Sequence, residues 1–269
     1  MKMKALKLFL GFLWIFAALF YELPDRRFHI YFFDIGQGDS IFIKTPGNQQ
    51  ILIDGGPGNL VLEELGNVMP FFDRSLDLIV LTHPHADHMN GLIEVLNRYE
   101  VSAVLMTDVG FEGEAYEEFL GLLPEVLIVD SSKDMRFGEV YLDILYPLEQ
   151  ASGKYFENVN NSSIAMKVIF QDLEILLTGD LEIEGEAELV RAYGDSLKAD
   201  ILKAGHHGSR TSSTVDFLAK VAPVTVVIQS GKDNSFGHPH PETLRKFKRM
   251  GIEDVRRNDL LGTVEFIVE

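Results

Sequence analysis

The sequence predicts an α/β fold in which helices cover sheets, and three observations carry that prediction. Strand-like and helix-like segments alternate from Phe28 to the C-terminus. Several strands, such as "LDLIVL" and "VTVVIQS", are near-continuous apolar runs, the mark of strands buried on both faces. Seven of the eight histidines fall in three clusters that follow predicted strands or their turns, where α/β proteins build sites.

Taken in order, "FHIYFFDIGQGDSIFI" reads as two short strands around a Gly-rich turn, and "QQILIDGG" as a third. "NLVLEELGNVM" has helical spacing. "LDLIVL" is a buried strand ending at the first histidine cluster, and "NGLIEVLNRY" is an amphipathic helix beginning just after it. "VSAVLM" is a strand, "GEAYEEFLGLL" a helix, and "EVLIV" and "VYLDILYP" further strands. "SIAMKVIF" and "LEILLTGD" form a hairpin turning at Gln171–Asp172. Then come the helix "IEGEAELVRAY", the strand "ADILKAG", the helix "SSTVDFLAKV", the strand "VTVVIQS", the helix "PETLRKFKRMG" and the strand "GTVEFIVE". There is no low-complexity linker and no short repeat, so residues 26–269 are expected to form one domain.

Residues 1–24 stand apart. Lys2, Lys4 and Lys7 precede an unbroken apolar stretch from Leu8 to Tyr21. A spanning helix needs about 17–25 residues, so this one spans only with Ala5 and Leu6 included and Lys7 snorkelling. "LFYELPD" offers no small-residue cleavage site, which favours an N-terminal apolar helix acting as an uncleaved membrane anchor over a cleaved signal segment. The lysines place that end in the cytoplasm. The expected location is therefore membrane-anchored with the folded part outside the cytoplasm, or secreted.

Composition bounds the chemistry. Cysteine is absent, which excludes disulfides, thiolate metal sites and a cysteine nucleophile. The formal net charge of −17 repels polyanions as a whole. The charge is uneven: residues 201–269 hold ten Lys and Arg against eight Asp and Glu, and the rest of the chain 14 against 33. A polyanion-facing surface should therefore lie in the last quarter, with Arg210, Lys232, Arg245, Lys246, Lys248, Arg249, Arg256 and Arg257 as its track. For the 245–249 run, a solvated helix face is an equal reading. Phe236 is the only aromatic near the last histidine cluster, so single-strand grip has little visible support.

"THPHADH" sets His83, His85, Asp87 and His88 within six residues. His83 and His85 are two apart, so in an extended segment they point the same way. Imidazoles and carboxylates suit Zn²⁺, Mn²⁺ or Fe²⁺, and one such turn can feed two adjacent ions. Asp180 ends the strand "LLTGD" after a glycine that permits close backbone approach, and could sit between two ions. Read alone it would be a helix N-cap. "AGHHGS" and "FGHPHPE" place His206, His207, His238 and His240 in turns after strands, whereas His29 lies inside a strand and reads as structural.

Together these segments resemble the metallo-β-lactamase fold, whose H-x-H-x-D-H signature "THPHADHMNGL" matches. "FFDIGQGDSIFI", "ILIDGG", "NNSSIAM", "LLTGD", "LKAGHHGSRTSS" and "FGHPHPETL" follow in the order of the C-terminal hydrolase domain of the competence protein ComEC family. Secreted hydrolases such as phosphorylcholine esterases share much of this pattern. The resemblance implies an αββα sandwich holding two divalent metal ions, Zn or Mn, that activate water. It implies that His83 and His85 bind the first metal, Asp87 and His88 the second, that Asp180 bridges them, and that His206 rather than His207 is the further ligand. Asp34 and Asp54 would orient the histidine loop. Asp87, His207 and His238 would be the catalytic residues, with His207 and His238 contacting substrate or donating a proton. Lys203, Ser209, Arg210 and Ser212, with Thr211 and Ser213, would contact phosphate.

The pattern departs in one respect. Many members carry a third first-metal histidine shortly before the bridging aspartate, and this chain has none between His88 and His206. Asn160 or Asn161 stands in that region, a weaker and harder ligand that tells against a standard di-zinc centre and makes manganese an alternative. The expected function is a phosphodiesterase or nuclease acting on DNA outside the cytoplasm, alongside a separate DNA-uptake channel protein. The alternatives are a hydrolase of a phosphocholine ester, cyclic nucleotide or lactam, and a non-catalytic, metal-stabilised partner of such a channel.

Overall fold

The computed structural model describes residues 25–269. Two seven-stranded sheets face each other. The first contains β1 (Phe28–Phe32), β2 (Ile41–Lys44), β3 (Gln50–Ile53), β4 (Ser75–Val80), β5 (Glu100–Met106) and β6 (Glu125–Ile128) in that order, with β14 (Val264–Val268) outside β1. The second runs β7 (Met135–Phe137), β8 (Val140–Tyr146), β9 (Ala165–Phe170), β10 (Leu173–Leu177), β11 (Ile201–Lys203), β12 (Thr225–Ile228) and β13 (Asp254–Arg257). Each sheet begins as an antiparallel meander and continues in parallel: β3 to β6 in one, β10 to β13 in the other.

Parallel neighbours need crossover connections, and here these are helices. α1 (Leu60–Val68), α2 (Ala86–Leu96) and α3 (Glu114–Gly121) cover the first sheet; α4 (Ile183–Tyr193), α5 (Val215–Val221) and α6 (Pro241–Arg249) cover the second. A short α7 (Asn258–Leu261) leads back to β14. The period-two pattern explains the layers. Ile30, Phe32, Ile41, Ile43, Ile51 and Ile53 meet Val168, Phe170, Ile175 and Leu177 between the sheets. Phe42, Leu52 and Ile79 point the other way into α1–α3, and Leu176, Leu202 and Val226 into α4–α6. Both strand faces are buried, so the strands read as continuous apolar runs.

Three local differences from the sequence reading have plain causes. The helix after the first histidine cluster begins at Ala86, not after the cluster, with His85 in the N-cap position. Asp87 in its first turn suits the helix dipole, and the amides of His88 and Met89 reach the carbonyl of His85 at 3.0 and 2.9 Å. β7 and β13 were not anticipated: they end the second sheet, where "MRF" is too short to show a period and "DVRR" holds a single apolar residue.

The membrane placement is corrected. Among the described residues no helix is long and apolar enough to cross a membrane, the longest having 11 residues. The apolar N-terminal helix expected within residues 1–24 lies outside the described residues.

Gly91 fixes how close α2 lies to the site. A Cβ there would fall 1.8 Å from the carbonyl oxygen of Gly55, which is backbone and cannot yield. Gly91→Ala is expected to lower stability by about 2–3 kcal/mol, as overpacking does. Urea denaturation checks this, and an unchanged midpoint would refute it.

Candidate metal centre

The site lies at the C-terminal ends of the parallel strands of both sheets. β4 delivers His83, His85 and the start of α2; β3 delivers Asp54; β10 delivers Asp180; β11 delivers His206 and His207; β12 leads to the loop holding His238. The β1–β2 turn adds Asp39, whose amide donates to the carbonyl of Asp87 at 3.2 Å.

Asp180 is the centre of the arrangement. Its Oδ2 lies 3.3 Å from Nε2 of His88 and 3.2 Å from Nε2 of His207. Its amide donates to Oγ of Ser163 at 3.0 Å. It is not a helix cap: Glu182 occupies that position. Gly179 before it has φ +51°, and a Cβ there would meet Ser163 at 2.9 Å, so glycine is what lets this strand end approach so closely.

Two Asp–His pairs aim their rings at Asp180. Asp54 lies 2.7 Å from Nδ1 of His88 and also accepts from the amide and hydroxyl of Thr82, at 2.8 and 2.7 Å. His207 is held through Nδ1, which stands 3.1 Å from both the Gln229 carbonyl and Oδ1 of Asp39. Anchoring Nδ1 in this way turns Nε2 inward as a free donor atom, as ligating histidines are usually held. Nε2 of His88, Nε2 of His207 and Oδ1 of Asp180 are all buried without a hydrogen-bond partner. Ligand atoms of Asp39, His88, Asp180 and His207 lie within 4.8 Å of one another. Orphaned buried atoms of these types, so close together, fit a divalent cation.

The electrostatics agree. Burial alone would hold His88 neutral, but Asp180 and Asp54 outweigh it and raise its pKa well above the usual imidazole range. Burial is likewise overcome at His207 by Asp180 and Asp39. Despite its burial, the carboxyl of Asp180 is held well below the usual range by His207 and His88. The pocket therefore attracts positive charge. His83 differs: burial, then His88, push its pKa well down, so it presents a neutral ring. Its Nε2 lies 3.1 Å from Nδ1 of His85.

Not every expected residue lies where the sequence placed it. Of the histidine pair, His207 is the buried one facing Asp180 and Asp87, the latter at 3.3 Å. His206 is partly exposed, 3.8 Å from Asp180, with Nδ1 on Glu182 at 2.9 Å. Both adopt left-handed backbone angles, φ +48° and +53°, a strained conformation typical of functional turns. Among the described residues Asp34 does not reach the histidines: its carboxylate accepts from the Gly36 amide at 3.4 Å, and its amide donates to Thr263. Asp39, five residues on, fills that role; "GQGDS" held two glycines and an aspartate, the only signal that could have found it.

Asn160 is buried with its Oδ1 unpartnered, and its Nδ2 donates to Oε1 of Glu182 at 2.9 Å. Asn161 is turned away, donating to Glu184 and accepting from the Glu182 amide. Lys203, expected to contact phosphate, lies inside the frame of the site. It is fully buried, paired with Asp39, 3.6 Å from Asp180, and donates to the Gly179 carbonyl at 2.9 Å. Ser212 is also buried, with its hydroxyl on the Leu181 carbonyl, and the Ser209 hydroxyl is shared with Thr211. Arg210 is exposed. Of the basic track, Lys246 binds the Ser212 carbonyl while Arg256 and Arg257 pair with Asp254 and Asp259. Burial, then His207, His206 and His240, lower the pKa of His238 to about 4, so near neutral pH it is an uncharged hydrogen-bonding group and not an imidazolium acid.

Residues 33–232 match the family model described as the metallo-beta-lactamase superfamily. The chain is 30% identical over 274 residues to "ComE operon protein 3" of Bacillus subtilis, covering 94% of this chain and 34% of that one. It is 28% identical over 249 residues to "Competence protein ComA" of Neisseria gonorrhoeae, covering 91% and 33%. The chain thus spans about a third of the length of these relatives. A solved metallo-beta-lactamase fold protein, YhfI of Bacillus subtilis, superposes with a TM-score of 0.58 at 13% identity, covering 90% of this chain and all of that one, which shows the shared fold.

Proposed function

Because the chain belongs to the metallo-β-lactamase superfamily and is a metal-dependent hydrolase, we propose that it hydrolyses phosphodiesters, DNA foremost, with two divalent ions. We further propose that residues 26–269 act as one hydrolase domain akin to that of the ComEC family. His83, His85 and Asn160 would hold one ion, Asp87, His88 and His207 the other, with Asp180 between them. The oxygen donor of Asn160, in place of a histidine, makes manganese as suitable as zinc at the first position. When bound, such ions supply a nucleophilic water at neutral pH and a clamp for charge developing on phosphorus.

The chain's own residues position and discriminate. Asp54 and Asp39 fix the rings of His88 and His207 through Nδ1. His238, uncharged and with its Nδ1 unpartnered, is placed to hydrogen-bond a phosphate oxygen. Arg210, Lys232, Arg245, Lys248 and Arg249 are exposed and form no ion pair among the described residues, so they are available to a polyanion. The competence-named relative supports DNA as that polyanion.

The observation that carries this reading is the convergence of unpartnered His88 Nε2, His207 Nε2 and Asp180 Oδ1 in a buried, cation-attracting pocket. Protein loaded with Mn²⁺ or Zn²⁺ is expected to cleave single-stranded DNA and bis-p-nitrophenyl phosphate, and chelator to abolish both activities. Absence of turnover on either substrate, with bound metal verified by elemental analysis, would refute the proposal.

A further inference from the structure

We infer that the exposed rings of Phe236 and Tyr155 are stacking platforms for nucleobases, one at each end of the metal centre. This inference rests on the phosphodiesterase reading above and names how its substrate is gripped.

The histidine rings form a file across the site. His85 and His83 are 4.7 Å apart, His83 and His88 4.2 Å, His88 and His207 5.2 Å, and His207 and His238 6.2 Å, centroid to centroid. Beyond His238 stands Phe236, 5.8 Å away and stacked at 24°. Beyond His85 stands Phe111, at 6.2 Å, and its chain neighbour Gly110 lies under Tyr155. His83, His88 and His207 are buried while His85 and His238 are partly exposed, so a strand passing over the metal centre would meet Phe236 on the His238 side and Tyr155 on the His85 side.

Both rings are presented rather than left over. Phe236 is 62% exposed and Tyr155 75%. The loop of Phe236 is tied by Asn234, whose amide donates to the carbonyls of Gly231 and His238 at 2.8 and 2.6 Å. Its oxygen accepts from the amides of Phe236 and His238 at 3.2 and 3.0 Å. His238 covers one face of Phe236 and leaves the other to solvent. Tyr155 is backed by the Gly110 backbone, where an added Cβ would meet its ring at 2.7 Å. Its loop is joined to that of Gly110 by hydrogen bonds from Gly110 to Lys154, Gly153 to Asp108 and Ser152 to Asp108, at 2.9, 2.9 and 2.6 Å.

A lone exposed aromatic is unremarkable on any surface. These two are set apart by a backed face, a fixed loop and a cation alongside. Lys154 adjoins Tyr155 and Lys232 shares the loop of Phe236, and neither lysine is in an ion pair among the described residues. Open aromatic faces beside unpaired cations are how single strands are held without sequence preference.

The test is equilibrium binding, by fluorescence anisotropy, of a hydrolysis-resistant phosphorothioate dT hexamer and of its abasic counterpart to the Mn²⁺-loaded protein. The wild type should bind the dT hexamer more tightly than the abasic one. Phe236→Ala and Tyr155→Ala should each weaken dT binding by about 5- to 100-fold, the range for loss of one base stack, and reduce the preference over the abasic strand. Phe236→Trp should retain it, and Phe236→Leu, apolar but without a π face, should not. Equal binding of the two hexamers by the wild type, or wild-type dT affinity in Phe236→Ala and Tyr155→Ala, would overturn the inference. Loss of the phosphodiesterase reading would appear separately, as absence of Mn²⁺-dependent cleavage of an ordinary strand.

Discussion

Asp180→Asn is expected to lose bound metal and to lower phosphodiester turnover by about 10³-fold or more. The substitution keeps the shape of a side chain that is 2% exposed, so the fold has little reason to change. It removes the one negative charge toward which two imidazole Nε2 atoms point from 3.3 and 3.2 Å. Several kcal/mol of transition-state charge stabilisation come from ions held in such a site, and about 4 kcal/mol corresponds to a 10³-fold rate. Elemental analysis should give less metal per chain, and the loss of rate should persist at saturating substrate. A variant with wild-type metal content and turnover would remove Asp180 from the proposed ligand set.

Much of this site is legible in the sequence because its chemistry is concentrated in short motifs at strand ends. Read alone, Asp180 passes for a helix N-cap, and it is the histidine motifs around it in the sequence that mark it as a ligand; Gly179 does hold the close approach to Ser163. What the sequence could not rank was orientation. His206 and His207 are adjacent and chemically identical; only the paired left-handed turn decides that His207 faces Asp180 while His206 turns to Glu182. Asp34 and Asp39 flank one Gly-rich turn, and only the fold of that turn brings the second aspartate onto His207. The layers were readable for a similar reason: strands buried on both faces carry their signal locally, whereas the short end strands β7 and β13 carry little. The membrane reading rested on residues 1–24 alone, outside the part that builds the site.

Lys203→Met tests the reassignment of that lysine from a substrate contact to part of the buried frame. Lys203 is the only lysine among the described residues with no exposed surface, and it sits between Asp39 and Asp180. Burial works against its charge, but Asp39 and Asp180 raise its pKa. Burial would raise the Asp39 carboxyl, yet Lys203 and His207 hold it below the usual carboxylate range. Both partners are thus more strongly charged in the folded chain than in the unfolded one. The stability supplied by the lowered Asp39 is present above an unfolded pKa of about 4 and lost as pH falls through its folded value. That supplied by the raised Lys203 is present below an unfolded pKa of about 10.4 and lost as pH rises through its folded value. The pair therefore contributes fully across neutral pH. Removing the lysine leaves a buried carboxylate with His207 as its main cation, and breaking a buried pair costs about 3–5 kcal/mol. For a chain of this size that corresponds to a fall in Tm of roughly 10 °C. The deficit should narrow toward pH 5, where the carboxyl freed of Lys203 can take up a proton. Lys203→Arg should not rescue, because a planar guanidinium does not fit a site enclosed around an ammonium. If Lys203 instead served substrate, Lys203→Met would raise KM and leave Tm and its pH profile unchanged, and that outcome would reverse the assignment.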